Sequence, residues 1–483
     1  MLLFFFPFQK WLNVMHNFKL LIGGQLVDGA AEIDVINPAT GKAFAQAPVA
    51  DVNQLNAAVA AAKQAFDAWS VTTISHRGSL VAALAECMAQ RADELVQLLT
   101  AEQGKPLDQA RMEIMASIGV LRAFSQMDIP ARVLRENEQS RVLELRRPLG
   151  VVAAITPWNF PIVLLIHKLA PALLAGNTLV VKPAPSTPLT TLLLGEICQQ
   201  VLPAGVVNVV TDRNDLGPIL TAHPDVVKVA FTGSTATGKH VFAAASATLK
   251  RMTLELGGND AAIVLDDVDP VETARKIYRV AMANAGQMCV AIKRTYVPSK
   301  LYDAFCAELV QLANAAVVGE GTVAGVQVGP VQNQMQFDKL KELLEDTRQV
   351  GNVIAGGHVL DRPGYFVAPT IVRDLPDDAR VVREEQFGPI LPVLSYDSVD
   401  EVVARVNASE FGLGGSVWGR DVEQAVAVAG RIVTGTVCVN HSMPFDAAIP
   451  FRGIKQSGVG AELGLEGLLE YTQATVINVN LTA

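Results

Sequence analysis

A cysteine in a turn, a glutamate at the end of an apolar run and an asparagine between prolines are the residues of this chain best suited to covalent chemistry. Gly286-Gln-Met-Cys289 reads as the end of a helix and sets a thiol in a glycine-containing turn. A thiolate there is a nucleophile, although a lone cysteine also serves as a small buried hydrophobe. Glu255 ends an apolar strand directly before Gly257-Gly258. Apolar surroundings push a carboxyl pKa up toward the range of a general base, while capping of the next turn accounts for the residue equally well. Pro157-Trp-Asn-Phe-Pro161 holds Asn159 rigidly enough to donate to a developing oxyanion, or to satisfy a local turn. In Phe231-Thr-Gly-Ser-Thr-Ala-Thr-Gly238 a strand runs into a helix, and Ser234 with the first free N–H groups suits a phosphate. Many strand–helix turns share that description.

These segments need elements to carry them. Apolar residues at three- and four-residue spacing predict helices over 57–69 and 80–99. From residue 149 short apolar runs alternate with amphipathic stretches: strands near 150–155, 178–181, 206–210, 227–231 and 252–256, helices over 161–175 and 189–201 and after Ser234. Such alternation implies a parallel sheet covered on both faces. It restarts at Ala261 and continues past residue 400, so two α/β units meet near 255–258, with a nucleotide at the carboxyl ends of the first unit's strands. Residues 132–148 lack helical period and suggest a protruding hairpin, and the tail from Thr475 suggests another edge strand. Exposed edges invite pairing between copies, so a homodimer or homotetramer is expected.

Composition narrows the classes further. A chain of 483 residues with 50% hydrophobic and 18% charged residues implies large buried cores in more than one domain. The net charge of −9 offers no footprint for nucleic acid or anionic membrane. Five scattered cysteines without ligand spacing imply a reduced, cytoplasmic chain and no metal site. The apolar start from Met1 to Phe8 is too short to span a bilayer and lacks the basic residue and cleavage site of a signal peptide. Residues 1–16 are expected to be a disordered extension, with Met15 an alternative start.

The segments PWNFP, KPAP, GSTATG, ELGG, GQMC and EEQFGP follow one another in this order. Together they resemble the aldehyde dehydrogenase superfamily, from about residue 20 to the C-terminus. The resemblance implies an α/β fold: a Rossmann-like cofactor domain (17–131 and 149–255), an α/β catalytic domain (256–438) and a small β oligomerisation arm with the C-terminal segment (132–148 and 439–483). It implies that Cys289 is the nucleophile and Glu255 the base that hydrolyses a thioester. Asn159 and the Cys289 N–H would form the oxyanion hole, with Lys168 and Glu462 as a proton-relay pair or, equally, a surface ion pair.

The implied cofactor is NAD, with NADP possible. Thr156 and Trp158, flanked by Ile155 and Pro157, match the nicotinamide side; Glu385 and Phe387 match the clamp on its ribose. Lys182 matches the adenosine-ribose contact, near Ala184, Pro185 and Gly217. Ser234 matches the pyrophosphate contact, with Phe231, Gly233, Thr237 and Leu256 around it.

Three departures stand out. Pro185 occupies a position where NAD-preferring members often carry a glutamate that repels a 2′-phosphate. The usual glycine-rich turn after Val210 reads Thr211-Asp-Arg-Asn, and Pro450-Phe-Arg-Gly puts Arg452 where a glycine is usual. Channel positions Phe160, Val163, Leu164, His167, Met288, Val290, Phe445 and Phe451 form a mostly apolar set. They imply an aromatic or medium aliphatic aldehyde as substrate. A CoA-acylating member generally lacks the ELGG glutamate, and a non-catalytic member would lack Cys289, Glu255 or Asn159. All of these residues are present.

Overall fold

The computed structural model describes residues 17–442 and 446–482. The proposed extension over 1–16, the alternative start at Met15 and the channel residue Phe445 lie outside the described residues. Two large sheets organise the chain. In the eight-stranded sheet, Val207–Val209, Thr178–Lys182, Val151–Ile155, Val226–Thr232 and Arg251–Glu255 lie side by side and parallel. The expected all-parallel sheet is in fact mixed. The short strands Leu20–Ile22 and Gln25–Val27 close one edge antiparallel, and Gly458–Val459 closes the other.

Strand order fixes where a ligand can sit. The chain steps outward from Val151–Ile155 through Thr178–Lys182 to Val207–Val209, then returns to the opposite side with Val226–Thr232. The direction therefore reverses between Val151–Ile155 and Val226–Thr232. At such a switch point the two outgoing loops part and leave a crevice beyond the carboxyl ends. Those loops are Pro157–Pro161 and Gly233–Ser234.

The seven-stranded sheet is parallel through Thr370–Arg373, Ile390–Tyr396, Ile292–Pro298, Asp260–Val264, Gly414–Trp418 and Thr436–Val439, with Asn352–Ala355 antiparallel at one edge. Cys289, Glu385 and Gly258 each stand just before one of its strands. The second sheet thus turns amino ends to the site where the first turns carboxyl ends.

Helix Val163–Ala175 is buried at all but its first residue, so it is a core helix, not an amphipathic surface one. Burial of each of its leucines contributes about 1.5–3 kcal/mol. Gly176, at φ 94°, ends it. Helix Leu189–Val201 has the expected bounds. The expected helix over 80–99 is two, Ile74–Gln90 and Ala92–Gln103, broken at Arg91. Asp93 and Glu94 restart the second with acidic residues at its positive end.

The 132–148 segment is a hairpin, Arg132–Glu136 with Ser140–Pro148, and the tail strand Thr472–Asn480 pairs along Ser140–Pro148 of the same chain. Among the described residues, no helix is long and apolar enough to cross a membrane, and no group of three His, Cys, Asp or Glu could hold a metal ion.

Candidate active site

Cys289 does not end a helix. Helix Pro270–Met282 stops earlier, and the short turn Ala283–Gly286 intervenes with Asn284 at φ 49° and Ala285 at φ 53°. Left-handed backbone at a residue with a Cβ costs about 1 kcal/mol, so neighbouring contacts must hold it. Gln109 Oε1 accepts from the Asn284 N–H at 2.8 Å, and Asn284 Nδ2 donates to the Asn159 carbonyl at 3.0 Å. The turn is thereby tied to the Pro157–Pro161 loop.

That loop has its own anchor. Lys105 Nζ donates to the Asn159 carbonyl at 2.9 Å and to Glu113 Oε2 at 2.5 Å, and lies 3.6 Å from the Phe160 ring centre. Glu113 Oε1 accepts from the N–H groups of Ile162 and Val163 at 3.0 and 3.2 Å, capping the core helix. Burial lowers the Lys105 pKa, and the Glu113 carboxylate opposes that shift. Asn159 Nδ2 uses one hydrogen on the Gln287 carbonyl at 2.9 Å and carries a second.

Two glycines allow the parts to meet. A Cβ on Gly258 would stand 2.5 Å from the Cys289 carbonyl oxygen, and one on Gly257 would stand 2.5 Å from Glu385 Oε2. Glu385 Oε1 accepts from the Gly258 N–H at 3.1 Å. Glu255 is buried, and its carboxylate oxygens meet no full hydrogen bond among the described residues. Burial and the charge of Glu462 raise its pKa well above the usual carboxylate range, against the Lys168 cation and the Gly453 N–H.

Glu462 behaves oppositely. Burial opposes its ionisation, but Lys168 Nζ at 2.6 Å and His167 Nδ1 at 3.5 Å hold its pKa well down. Lys168 also donates to Thr232 Oγ1 at 2.5 Å. The pair is fully buried, so the surface ion-pair alternative is excluded. Burial pushes the Cys289 thiol up to about 12; Lys293 opposes this, and Glu385, Glu255 and Asp260 add to it.

Cys289 and Asn159 lie in the wall of a cavity of about 1050 Å³, together with Phe160, Val163, Leu164, His167, Met288 and Val290. Helices Leu107–Ser125 and Pro270–Met282 add Met112, Val120 and Met282. Among its charged residues, Glu113 is paired with Lys105 and Arg275 with Glu308 at 2.7 Å. Phe451 does not join this wall. It is buried in the core with its backbone paired to that of Glu462.

The crevice at the switch point gathers the other expected positions. Ile155 ends its strand, and the buried Thr156 Oγ1 has no hydrogen-bond partner among the described residues. Beyond Pro157, the Trp158 ring meets the Phe387 ring edge-on at 5.3 Å. Lys182 ends the next strand, ion-paired to Asp212 at 2.6 Å, with Ala184, Pro185 and the Gly217 backbone nearby. Phe231 packs against Gly233, and Leu256 against Gly238. Ser234 caps helix Thr235–Ala245 by accepting from the Thr237 N–H at 3.2 Å. Arg452 pairs with Glu466.

The sequence alone did not single out Lys105, Glu113, Asn284 or Lys293, and it marked Asp212 only as part of the Thr211-Asp-Arg-Asn turn. For Glu113, Asn284 and Lys293 the one signal was a charged or amide residue placed within an apolar stretch.

The aldehyde dehydrogenase family profile matches residues 26–477. The chain is 39% identical over 487 residues to phenylacetaldehyde dehydrogenase of Pseudomonas fluorescens, covering 96% of each. It is 35% identical over 475 residues to the NADP(+) succinate-semialdehyde dehydrogenase GabD of Escherichia coli, covering 96% of this chain and 98% of that one. A solved structure of betaine aldehyde dehydrogenase from Staphylococcus aureus, in complex with NAD+, is similar at TM-score 0.95 and 30% identity, covering 99% of this chain and 97% of that one. This chain is an enzyme of the aldehyde dehydrogenase family.

Proposed function

We propose that the enzyme oxidises an apolar aldehyde, aromatic or medium aliphatic, to its carboxylic acid through a thioester on Cys289, with NAD and, as the alternative, NADP. The observation that carries this reading is the shared cavity wall: Cys289 and Asn159 face one mostly apolar chamber, and Glu255 is buried within electrostatic reach of the thiol. The similar proteins named above act on phenylacetaldehyde, succinate semialdehyde and betaine aldehyde. The apolar lining favours the first kind.

The crevice fits a dinucleotide. Thr156 Oγ1, buried and unpartnered among the described residues, is a polar atom in want of a ligand beside Trp158. Ile155, Thr156, Pro157 and Trp158 would hold the nicotinamide side, and Glu385 and Phe387 its ribose. Lys182, Ala184, Pro185 and Gly217 would hold the adenosine. Phe231, Gly233, Ser234, Thr237 and Leu256 would frame the pyrophosphate at a helix N-terminus. A bound nicotinamide supplies the acceptor for a hydride from the aldehyde carbon.

The chain's own residues do the rest. The Cys289 thiolate forms a C–S bond with the aldehyde carbon, and the oxygen becomes an oxyanion. Asn159 Nδ2 and the Cys289 N–H receive that charge, each donor worth about 2.7–4 kcal/mol of barrier. After oxidation, ionised Glu255 takes a proton from water as the water attacks the thioester carbon. The C–S bond breaks, the acid leaves and the thiolate is restored. Lys168 and Glu462, ion-paired at 2.6 Å and within electrostatic reach of Glu255, would pass its proton on. The buried carboxyl of Glu255 favours water over CoA as the acyl acceptor.

Val133 and Ile477, both register partners of Leu143, are exposed on one face of the three-stranded sheet, which supports a homodimer or homotetramer through that face. Sedimentation of the intact protein tests it.

A panel of aldehydes with NAD and NADP tests the activity. Phenylacetaldehyde and hexanal should surpass succinate semialdehyde in kcat/KM. A higher value for the semialdehyde would overturn the substrate class, and a requirement for CoA would overturn the hydrolytic route.

A further inference from the structure

We propose that Lys293 is a positioning residue that sets the direction of the Cys289 N–H by gripping the peptide group before it. The proposal rests on the reading of Cys289 as the nucleophile. Lys293 is the second residue of strand Ile292–Pro298, and its side chain folds back over the turn that precedes the strand. Its Nζ donates to the Met288 carbonyl at 2.6 Å and to the Cys289 carbonyl at 2.7 Å, and lies 3.7 Å from Glu385 Oε1. The side chain is 3% exposed. An ammonium carries three N–H groups, and three acceptors surround this one.

The geometry has a direct consequence for the oxyanion hole. Met288 C=O and Cys289 N–H belong to one planar peptide, and the described residues contain no cis peptide bond. In a trans peptide the N–H points opposite to the C=O. Holding the Met288 oxygen on the Lys293 side therefore turns the Cys289 N–H to the other side. The Ala291 N–H at 3.2 Å is a second donor to the same oxygen.

The bond to the Cys289 carbonyl fixes the following peptide as well. Both peptides flanking the Cys289 Cα are thus held, and with them the direction of its Cα–Cβ bond. Hydrogen bonding at a carbonyl also polarises its own N–H and strengthens it as a donor. An ammonium taken out of water costs several kcal/mol unless its partners are this complete, so Lys293 is not there to fill space. The same cation is the favourable charge beside the Cys289 thiol.

The test separates positioning from charge and from folding. Two rates are measured at one pH with cofactor bound: the acylation burst with aldehyde, and alkylation of Cys289 by iodoacetamide. Both scale with the thiolate fraction, so a change in thiol pKa cancels in their ratio. Only acylation builds an oxyanion. Lys293→Met, which removes the donors, should lower the acylation-to-alkylation ratio by about 10- to 100-fold, short of the 10²–10³ typical of deleting a donor outright.

An unchanged ratio overturns the proposal, because a structural role, or one acting only through the thiol pKa, moves both rates together. Lys293→Gln keeps an N–H donor without the charge and is read in the same way. A ratio above that of Lys293→Met supports the proposal, and one no better overturns it. If Lys293→Met does not fold, the Gln variant decides against wild type, a fall in the ratio supporting the proposal and no fall overturning it. Loss of the burst in Cys289→Ala is the separate control on the nucleophile itself.

Discussion

Lys182 Nζ lies 2.6 Å from Asp212 Oδ1, and both side chains are buried at the carboxyl edge of the eight-stranded sheet. Asp212 Oδ2 accepts in turn from the Leu216 N–H at 3.0 Å, so the carboxylate is fixed as well as paired. The acidic group missing at Pro185 thus arrives from the Thr211-Asp-Arg-Asn turn. Two departures in the sequence that looked separate are complementary in space.

From this pair follows a cofactor preference. Lys182 is already neutralised, and Asp212 would repel a 2′-phosphate while accepting from a 2′-hydroxyl. Like charges in a partly desolvated groove cost several kcal/mol. The enzyme should therefore favour NAD, contrary to the tolerance of NADP that Pro185 alone implies. Asp212→Asn should raise kcat/KM for NADP relative to NAD by at least about tenfold, a 1.4 kcal/mol change, whereas Pro185→Glu should add little. An unaltered ratio in Asp212→Asn would remove Asp212 from the account of cofactor choice.

Cys289 and Cys306 give contrasting expectations. Cys306 is buried in helix Tyr302–Ala315 among core residues, with its thiol pushed up to about 12 by burial. Cys289→Ala should abolish turnover with cofactor binding intact, and Cys306→Ala should leave kcat nearly unchanged. Burial also raises the Cys289 pKa, so alkylation of the cofactor-free enzyme should accelerate with rising pH through the alkaline range. A rate that is flat above neutrality would mean that the thiolate is already formed.

Much of the frame is legible in the sequence because it depends on local periodicity. The run 189–201 gives its helix to the residue. The break at Arg91 escapes notice because both helices, Ile74–Gln90 and Ala92–Gln103, bury residues in one core, so the apolar period runs on across the break. Residue types point to Cys289, Glu255 and Asn159, and the order of the segments points to the family.

What positions those residues is not legible. Lys105 with Glu113, Lys182 with Asp212 and Lys293 with two backbone carbonyls are pairings made by the fold, with no spacing rule behind them. Lys182 and Asp212 meet only because neighbouring strands end side by side. Phe451 failed as a channel residue for a related reason: alignment along a chain does not say which face of a strand-like segment meets the cavity.

Glu255→Gln separates the half-reactions. With no base to activate water, the thioester should accumulate, giving one burst of reduced cofactor and then a stall. Stopped-flow absorbance of the reduced nicotinamide reads both phases. A normal steady-state rate would show that Glu255 is not the hydrolytic base.

The pH dependence of deacylation tests the buried pair beside that base. Glu255 acts ionised, and its pKa is raised by burial and by the charge of Glu462, against Lys168. Hydrolysis of the thioester should therefore rise with pH through this raised pKa, and the acidic limb should vanish in Glu255→Gln. Glu462→Gln removes the neighbouring negative charge, so the limb should move to lower pH. Lys168→Met removes the cation that favours ionised Glu255, so the limb should move to higher pH. Each change also leaves one buried charge unpaired, which costs about 3–5 kcal/mol of stability, so single-turnover profiles belong at low temperature on protein shown to be folded. The opposite signs are the discriminating feature. Loss of structure alone would lower the rate in both variants without moving the limb, and movement in one common direction would dissociate Lys168 and Glu462 from the titration of Glu255.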